Sequence, residues 1–197
     1  MSKFDELDRL VEEGNGYLQT AQVLKSNISK PTLADYVSKR NMERVAQGVY
    51  LARDAWPDEL YQLYLSNRRI IFSHETALLL HGLTEREPAF ISVTVKAGYN
   101  ATHLRKRGVH VYQTKADVAD LGVVDVKTAF GNMVRAYDRE RTICDVIRNK
   151  EKMDIQVFQY AMKEFMSGKD KHVHRLMTYA RALNIEDHVR TYTEVML

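Results

Sequence analysis

The sequence predicts an α+β protein: an N-terminal winged helix-turn-helix domain over residues 1–55, then a mixed α/β domain over residues 56–197 with a helical C-terminal tail. Three observations carry that expectation. The first quarter of the chain reads in the order helix, helix, short turn, helix, hairpin. Its charge flips from a net −3 over residues 1–13 to a net +4 over residues 14–53. Beyond residue 138 every apolar pattern has helical spacing.

The elements follow in order. Phe4, Leu7, Leu10 and Val11 form the stripe of a first helix, which Gly14-Asn15-Gly16 ends. Tyr17-Leu18 leads to Thr20, a cap for a second helix over residues 21–25. Ser26-Asn27-Ile28 is a turn. Ser29 caps a third helix with Pro31 in its first turn, where a missing N–H costs nothing. Leu33 and Val37, four apart, face the core. Residues 42–46 and 49–52 are strand-like, and Gln47-Gly48 between them suits a tight hairpin.

Ala55-Trp56 reads as the link to the second domain. Pro57 opens a helix whose apolar face is Leu60, Leu63, Tyr64 and Leu65. Residues 70–72 are a short buried strand or the entry to a helix. Ser73 caps a helix over residues 74–81 that Gly82 closes. Residues 91–96 and 109–113 alternate as strands. Residues 123–128 and 133–136 flank a turn at Phe130-Gly131-Asn132. Asp138 and Asp154 cap two helices, residues 173–183 form a third, and residues 185–197 a fourth beyond Asn184.

Composition excludes several classes. The chain has 197 residues, 45% hydrophobic and 28% charged, the balance of an ordinary globular protein. The longest apolar run, residues 77–80, is far short of the ~20 that span a bilayer. No signal peptide is visible, and the single Cys144 has no internal disulfide partner, so a cytoplasmic location is expected. No membrane contact and no cofactor are expected.

The phosphate-cradling glycine loops are absent. His74-Glu75 begins like a zinc-protease helix, but His81 lies seven residues on, about 10 Å along the axis and too far for one ion. Cys144 sits among Ile143, Val146 and Ile147 and reads as core. Asp125 and Lys127 on one strand face, with Asp117 and Asp120 nearby, loosely fit a metal-dependent nuclease, without its Glu-x-Lys element. The binding chemistry is richer. If the third helix enters a major groove, Lys30, Thr32 and Ser38 point outward, with Tyr36 and Lys39 at the flanks. Arg40 ends that helix, and Arg44 and Gln47 lie on the wing, where phosphate or a minor groove is in reach. Tyr36 reads equally well as core.

Three segments extend the reading: Arg40-Asn41-Met42-Glu43-Arg44-Val45-Ala46-Gln47-Gly48-Val49-Tyr50, then Ile71-Phe72-Ser73-His74-Glu75-Thr76-Ala77-Leu78-Leu79-Leu80-His81-Gly82-Leu83-Thr84, then Glu140-Arg141-Thr142-Ile143-Cys144-Asp145-Val146-Ile147-Arg148. In this order they resemble the AbiEi family, the antitoxins and transcriptional repressors of bacterial AbiE abortive-infection systems. Asn41 departs from the glycine that many relatives carry there, although Asn tolerates the left-handed conformation. The resemblance implies a winged-helix domain that binds double-stranded DNA at inverted repeats in its own promoter. It also implies a second domain that counters a nucleotidyltransferase toxin without a stable complex (a type IV system), and no enzymatic activity. The competing reading is a winged-helix regulator whose second domain senses a ligand.

Three further expectations complete the reading. No long heptad runs through the chain, so a monomer or weak dimer that pairs on DNA is expected. Arg141 and Asp145, four apart on one helix face, can pair, either as a structural surface pair worth well under about 1 kcal/mol or as a polar edge of the antitoxin surface. Residues 57–197 are expected to fold alone.

Overall fold

The computed structural model describes residues 2–196; Met1 and Leu197, the ends of the two expected domains, lie outside the described residues. The chain is α+β and divides into two units. One is Met1–Arg68 with Lys127–Met133; the other is Arg69–Val126 with Val134–Leu197. The expected boundary at residues 55 and 56 therefore moves to 68 and 69. The reason is the fourth helix, whose apolar face packs within the first unit.

In the first unit, α1 (Lys3–Glu13) begins at a capping box in which Ser2 and Asp5 satisfy each other's backbone N–H. β1 (Tyr17–Gln19), α2 (Thr20–Lys25) and α3 (Lys30–Lys39) follow, then β2 (Glu43–Ala46) and β3 (Val49–Leu51). Thr20 is the first residue of α2 rather than its cap; Gln19 holds the cap position without a side-chain bond. The three strands form an antiparallel sheet in the order β1-β3-β2, with Tyr17 opposite Leu51 and Arg44 opposite Tyr50. Gln47-Gly48 closes the β2–β3 hairpin, and Gly48 has φ +70, where a side chain is strained.

Leu7, Leu18, Val23, Ile28, Leu33 and Met42 form the core between helices and sheet. Next, α4 (Glu59–Ser66) buries Leu65 against Tyr17, Val49 and Leu51. Its cap, Asp58, is 1% exposed and also accepts from Thr128 Oγ1 at 2.6 Å and Asn132 Nδ2 at 2.8 Å. Those bonds fasten residues 127–133 within the first unit.

The second unit contains β4 (Ile71–Phe72), α5 (His74–Leu80), β5 (Ser92–Lys96), α6 (Thr102–Lys106), β6 (His110–Thr114), α7 (Ala116–Ala119), β7 (Val123–Lys127) and β8 (Met133–Tyr137). The sheet order is β6-β5-β4-β8-β7. β4 runs antiparallel to β5 and parallel to β8, and β5 runs parallel to β6. Four helices follow: α8 (Arg139–Arg148), α9 (Ile155–Ser167), α10 (Val173–Ala182) and α11 (Glu186–Met196). Asp138 and Asp154 cap α8 and α9 as the sequence predicts. α8 is central: Glu140 to Ile147 are all buried, and Ile143, Val146 and Ile147 share a core with Leu78, Phe158, Phe165, Leu176 and Val189. Cys144 belongs to that core, and burial holds its thiol far above the ordinary thiol range.

Candidate nucleic-acid interface

Local chain chemistry fixes α3 at both ends. Ser29 Oγ accepts from the Thr32 amide at 3.4 Å and contacts the Thr32 hydroxyl at 2.9 Å. Pro31 occupies the first turn. At the other end Asn41 adopts φ +51; its amide bonds to Ser38 O at 3.2 Å and the Met42 amide to Val37 O at 3.0 Å. Those two bonds are a Schellman ending with asparagine in the glycine position. The turn into α3 is built the same way. Asn27 has φ +56, and the Ile28 amide reaches Val23 O at 3.2 Å. Each helix is capped by the residue before a left-handed Asn, Ser26 for α2 and Arg40 for α3, which sets where α3 begins and where the β2–β3 hairpin departs.

The expected contact residues divide into three groups. Lys30, Ser38, Arg44 and Gln47 are exposed, and Lys30 and Arg44 have no carboxylate partner among the described residues. Thr32 is half-buried and engaged by Ser29. Lys39 and Arg40 are exposed but paired: Lys39 with Asp35 at 2.9 Å, and Arg40 with Asp8 at 2.5 Å. Such surface pairs contribute well under about 1 kcal/mol each, so a phosphate competes readily for Lys39. Arg40 is held more firmly. Its guanidinium also lies 5.7 Å from the Tyr36 ring, and Asp8 is shared with Tyr36.

Tyr36 is not a contact residue. It is 2% exposed, donates to Asp8 Oδ1 at 2.6 Å and stands edge-on to Phe4 with ring centres 5.2 Å apart. Burial first, then the Asp8 carboxylate, raises its hydroxyl well above the ordinary tyrosine range. The ring anchors α3 to α1.

Arg141 and Asp145 do not form a surface either. The expected pairing is there, with Arg141 Nε 3.2 Å from Asp145 Oδ2, but Arg141 is 1% exposed. Its Nη1 donates to Val118 O at 2.8 Å and Leu121 O at 2.9 Å, and its guanidinium lies 4.1 Å from the Tyr137 ring centre. A Cβ on Gly122, at φ +79, would stand 2.7 Å from Arg141 Cβ, so the 118–122 loop closes over this side chain only because residue 122 is glycine. The helical spacing identified the pair; nothing in that spacing reveals a loop covering the face.

The second unit also holds a buried polar network that the sequence did not announce. Ser73 makes no side-chain capping bond; its Oγ instead accepts from Thr94 Oγ1 at 2.8 Å and meets His74 Nδ1 at 3.0 Å. Asn149 Nδ2 donates to Asp145 O at 2.9 Å and lies 3.1 Å from His74 Nε2. That amide donor leaves Nε2 as the acceptor, so His74 Nδ1–H donates to Ser73. A charged imidazole would set Nε2–H against the amide protons. With burial the larger cause, followed by Arg141 and Arg148, the His74 pKa falls to about 3. Ser73 is fully buried, so no substrate reaches its hydroxyl and the network is structural. His81 is likewise structural, its Nε2 2.6 Å from Tyr137 O.

The carboxylates weighed for metal chemistry are dispersed over α7, its C-terminal cap and β7, and Asp120 pairs with Lys96 at 2.6 Å. Among the described residues no three His, Cys, Asp or Glu side chains are grouped to hold a metal. A cleft of about 590 Å³ lies in the second unit, with Glu75, Arg86, Phe90, Tyr112 and Lys152 among its walls.

The class defined by these observations is an α+β chain of two units. No family model and no curated protein matches the sequence. Among solved structures the chain is similar to the crystal structure of the RV2827C protein from Mycobacterium tuberculosis, at 11% identity and a TM-score of 0.59, covering 95% of this chain and 78% of that one. At that identity the likeness concerns the fold alone. No helix among the described residues is long and apolar enough to cross a membrane.

Proposed function

We propose that the first unit is a winged helix-turn-helix that binds double-stranded DNA, with α3 in the major groove and the β2–β3 hairpin as the wing. The observation that carries this reading is the order α1-β1-α2-α3-β2-β3, with a tight asparagine turn between α2 and α3 and β1 completing the hairpin's sheet. Lys30 at the start of α3 and Arg44 on β2, exposed cations with no carboxylate partner among the described residues, support it. The resemblance to AbiEi extends the reading: an antitoxin and autorepressor acting on inverted repeats in its own promoter. It is not an enzyme, and it counters a nucleotidyltransferase toxin without a stable complex. On this reading the protein is a cytoplasmic monomer or weak dimer that pairs on the palindrome.

The test uses fluorescently labelled promoter duplex and the purified chain. Lys30→Ala and Arg44→Ala should each weaken binding and lower the salt slope by about 0.9. Tyr36→Phe, which keeps the ring, should leave binding unchanged. Unaltered slopes in both alanine variants overturn the interface. Co-expression with the product of the neighbouring gene, read as growth rescue, tests the antitoxin reading separately.

One observation favours the ligand-sensing reading, the 590 Å³ cleft of the second unit. Release from the promoter duplex on adding a small metabolite would select it.

A further inference from the structure

Residues 88–116 contain Lys96, Arg105, Lys106, Arg107 and Lys115 and no Asp or Glu. The fold concentrates this run at one margin of the second unit's sheet. β6 is the edge strand, and α6 with the Arg107-Gly108 turn leads into it. Lys96 is neutralised by Asp120 at 2.6 Å. Arg105, Lys106 and Arg107 are exposed and have no carboxylate partner among the described residues. Three adjacent unpaired cations repel one another, and an anionic partner relieves that repulsion.

Beside them runs a shallow groove of about 450 Å³ along the edge strand, lined by Phe90, Arg105, Gly108, His110 and Tyr112. Phe90 is 52% exposed, an unusual cost for a phenylalanine, and it stacks on the exposed His110 ring at 4.3 Å with the planes 15° apart. An aromatic pair open to solvent, next to unpaired arginines and along a groove, is the arrangement that takes a polyanionic strand whose bases are free to stack. A duplex offers phosphates but keeps its base faces covered, so it leaves the Phe90 face unused.

We propose that this margin of the second unit binds single-stranded RNA, with Arg105 and Arg107 on phosphates and a base on the Phe90–His110 stack. RNA is the source because its loops and ends present unpaired bases. The site is independent of α3 and the hairpin.

The experiment measures fluorescence anisotropy of a labelled twelve-nucleotide uridine-rich RNA with the full chain, beside DNA of the same sequence and a random duplex. The expected result is binding of RNA at least as tight as of single-stranded DNA. Phe90→Ala should weaken it roughly tenfold without changing the salt slope, and Arg107→Ala should lower the slope by about 0.7. Lys30→Ala should leave RNA binding intact, which separates a failure here from a failure of the promoter-binding reading. Thermal melts of each variant establish that it is folded. Absence of RNA binding overturns the proposal. So does unchanged affinity in Phe90→Ala, and so does a duplex that binds equally and equally loses affinity in Phe90→Ala.

Discussion

Burial decides what each polar residue does, and sequence spacing reports burial only in part. Arg141 and Asp145 are a helical pair by spacing and a buried one by structure, and Tyr36 is a groove candidate by spacing and an anchor by structure. His74 is the sharpest case. It follows the cap of a helix, where a solvent-facing imidazole is the usual reading, yet it has φ +50, stacks on Tyr112 at 3.5 Å and is enclosed by Ser73 and Asn149. Its pKa of about 3 lies below the ~6.5 of an unfolded histidine. The unfolded chain therefore takes up the proton first as pH falls. The stability contributed by the neutral ring is fully present above about pH 6.5 and is lost progressively toward pH 3, at ~1.4 kcal/mol per unit. Asp145 works in the opposite sense: burial pushes its pKa up to about 6, so the folded state gains protons there as pH falls. A comparison of variants removes that common term. Urea unfolding between about pH 6 and pH 4, below the pKa of the unfolded histidine, should show the native chain losing about 1.4 kcal/mol per unit more than His74→Asn, which tolerates positive φ and does not titrate. Parallel pH profiles would show that His74 is protonated in the folded state.

At the scale of elements, the legible features were those with a local cause. Ser29, Asp138 and Asp154 cap helices because their side chains accept from the first-turn amides, and Gly48 and Gly131 turn hairpins because φ is +70 and +83 there. The two short helices α6 and α7 escaped notice. With five and four residues they have no apolar period to detect. Less visible still was a repeated device: Asn15, Asn27, Asn41 and Asn184 all have positive φ and each follows the cap of a helix. Asparagine reads as an ordinary turn residue, so only Asn41 stood out, as a replacement for glycine. This device yields a prediction for Asn41. An alanine there must adopt φ near +51 without a side chain that bonds locally, at a cost of roughly 1–2 kcal/mol. Asn41→Ala should lower the unfolding free energy obtained from urea titration by that amount, while Asn41→Gly should match or exceed the native chain. An Asn41→Ala chain of native stability would mean that the helix ends elsewhere without strain.

For the whole molecule, helices and hairpins were legible and the strand order was not. β4 pairs with β8 across Phe72 and Ala136, and no local pattern specifies a partner so distant in sequence. The same blindness misplaced the boundary, because composition marks Ala55-Trp56 as a link while packing assigns α4 to the first unit. That assignment changes what a truncation does. A fragment of residues 57–197 keeps α4 but removes Tyr17, Val49 and Leu51, against which Leu65 is buried, and the Tyr17 hydroxyl that accepts from the Asp58 amide at 2.8 Å. A fragment of residues 69–197 drops α4 entirely and retains every member of the core around α8, from Leu78 to Val189. It also retains residues 127–133, whose buried groups, Thr128 and Asn132, are polar and accept hydration when Asp58 is gone. The longer fragment should therefore bind an apolar fluorescent dye and aggregate on concentration, while the shorter one melts cooperatively without dye binding. If residues 57–197 stay monomeric and dye-free, α4 finds a second set of partners in the fragment, and the boundary at residues 68 and 69 describes the intact chain only.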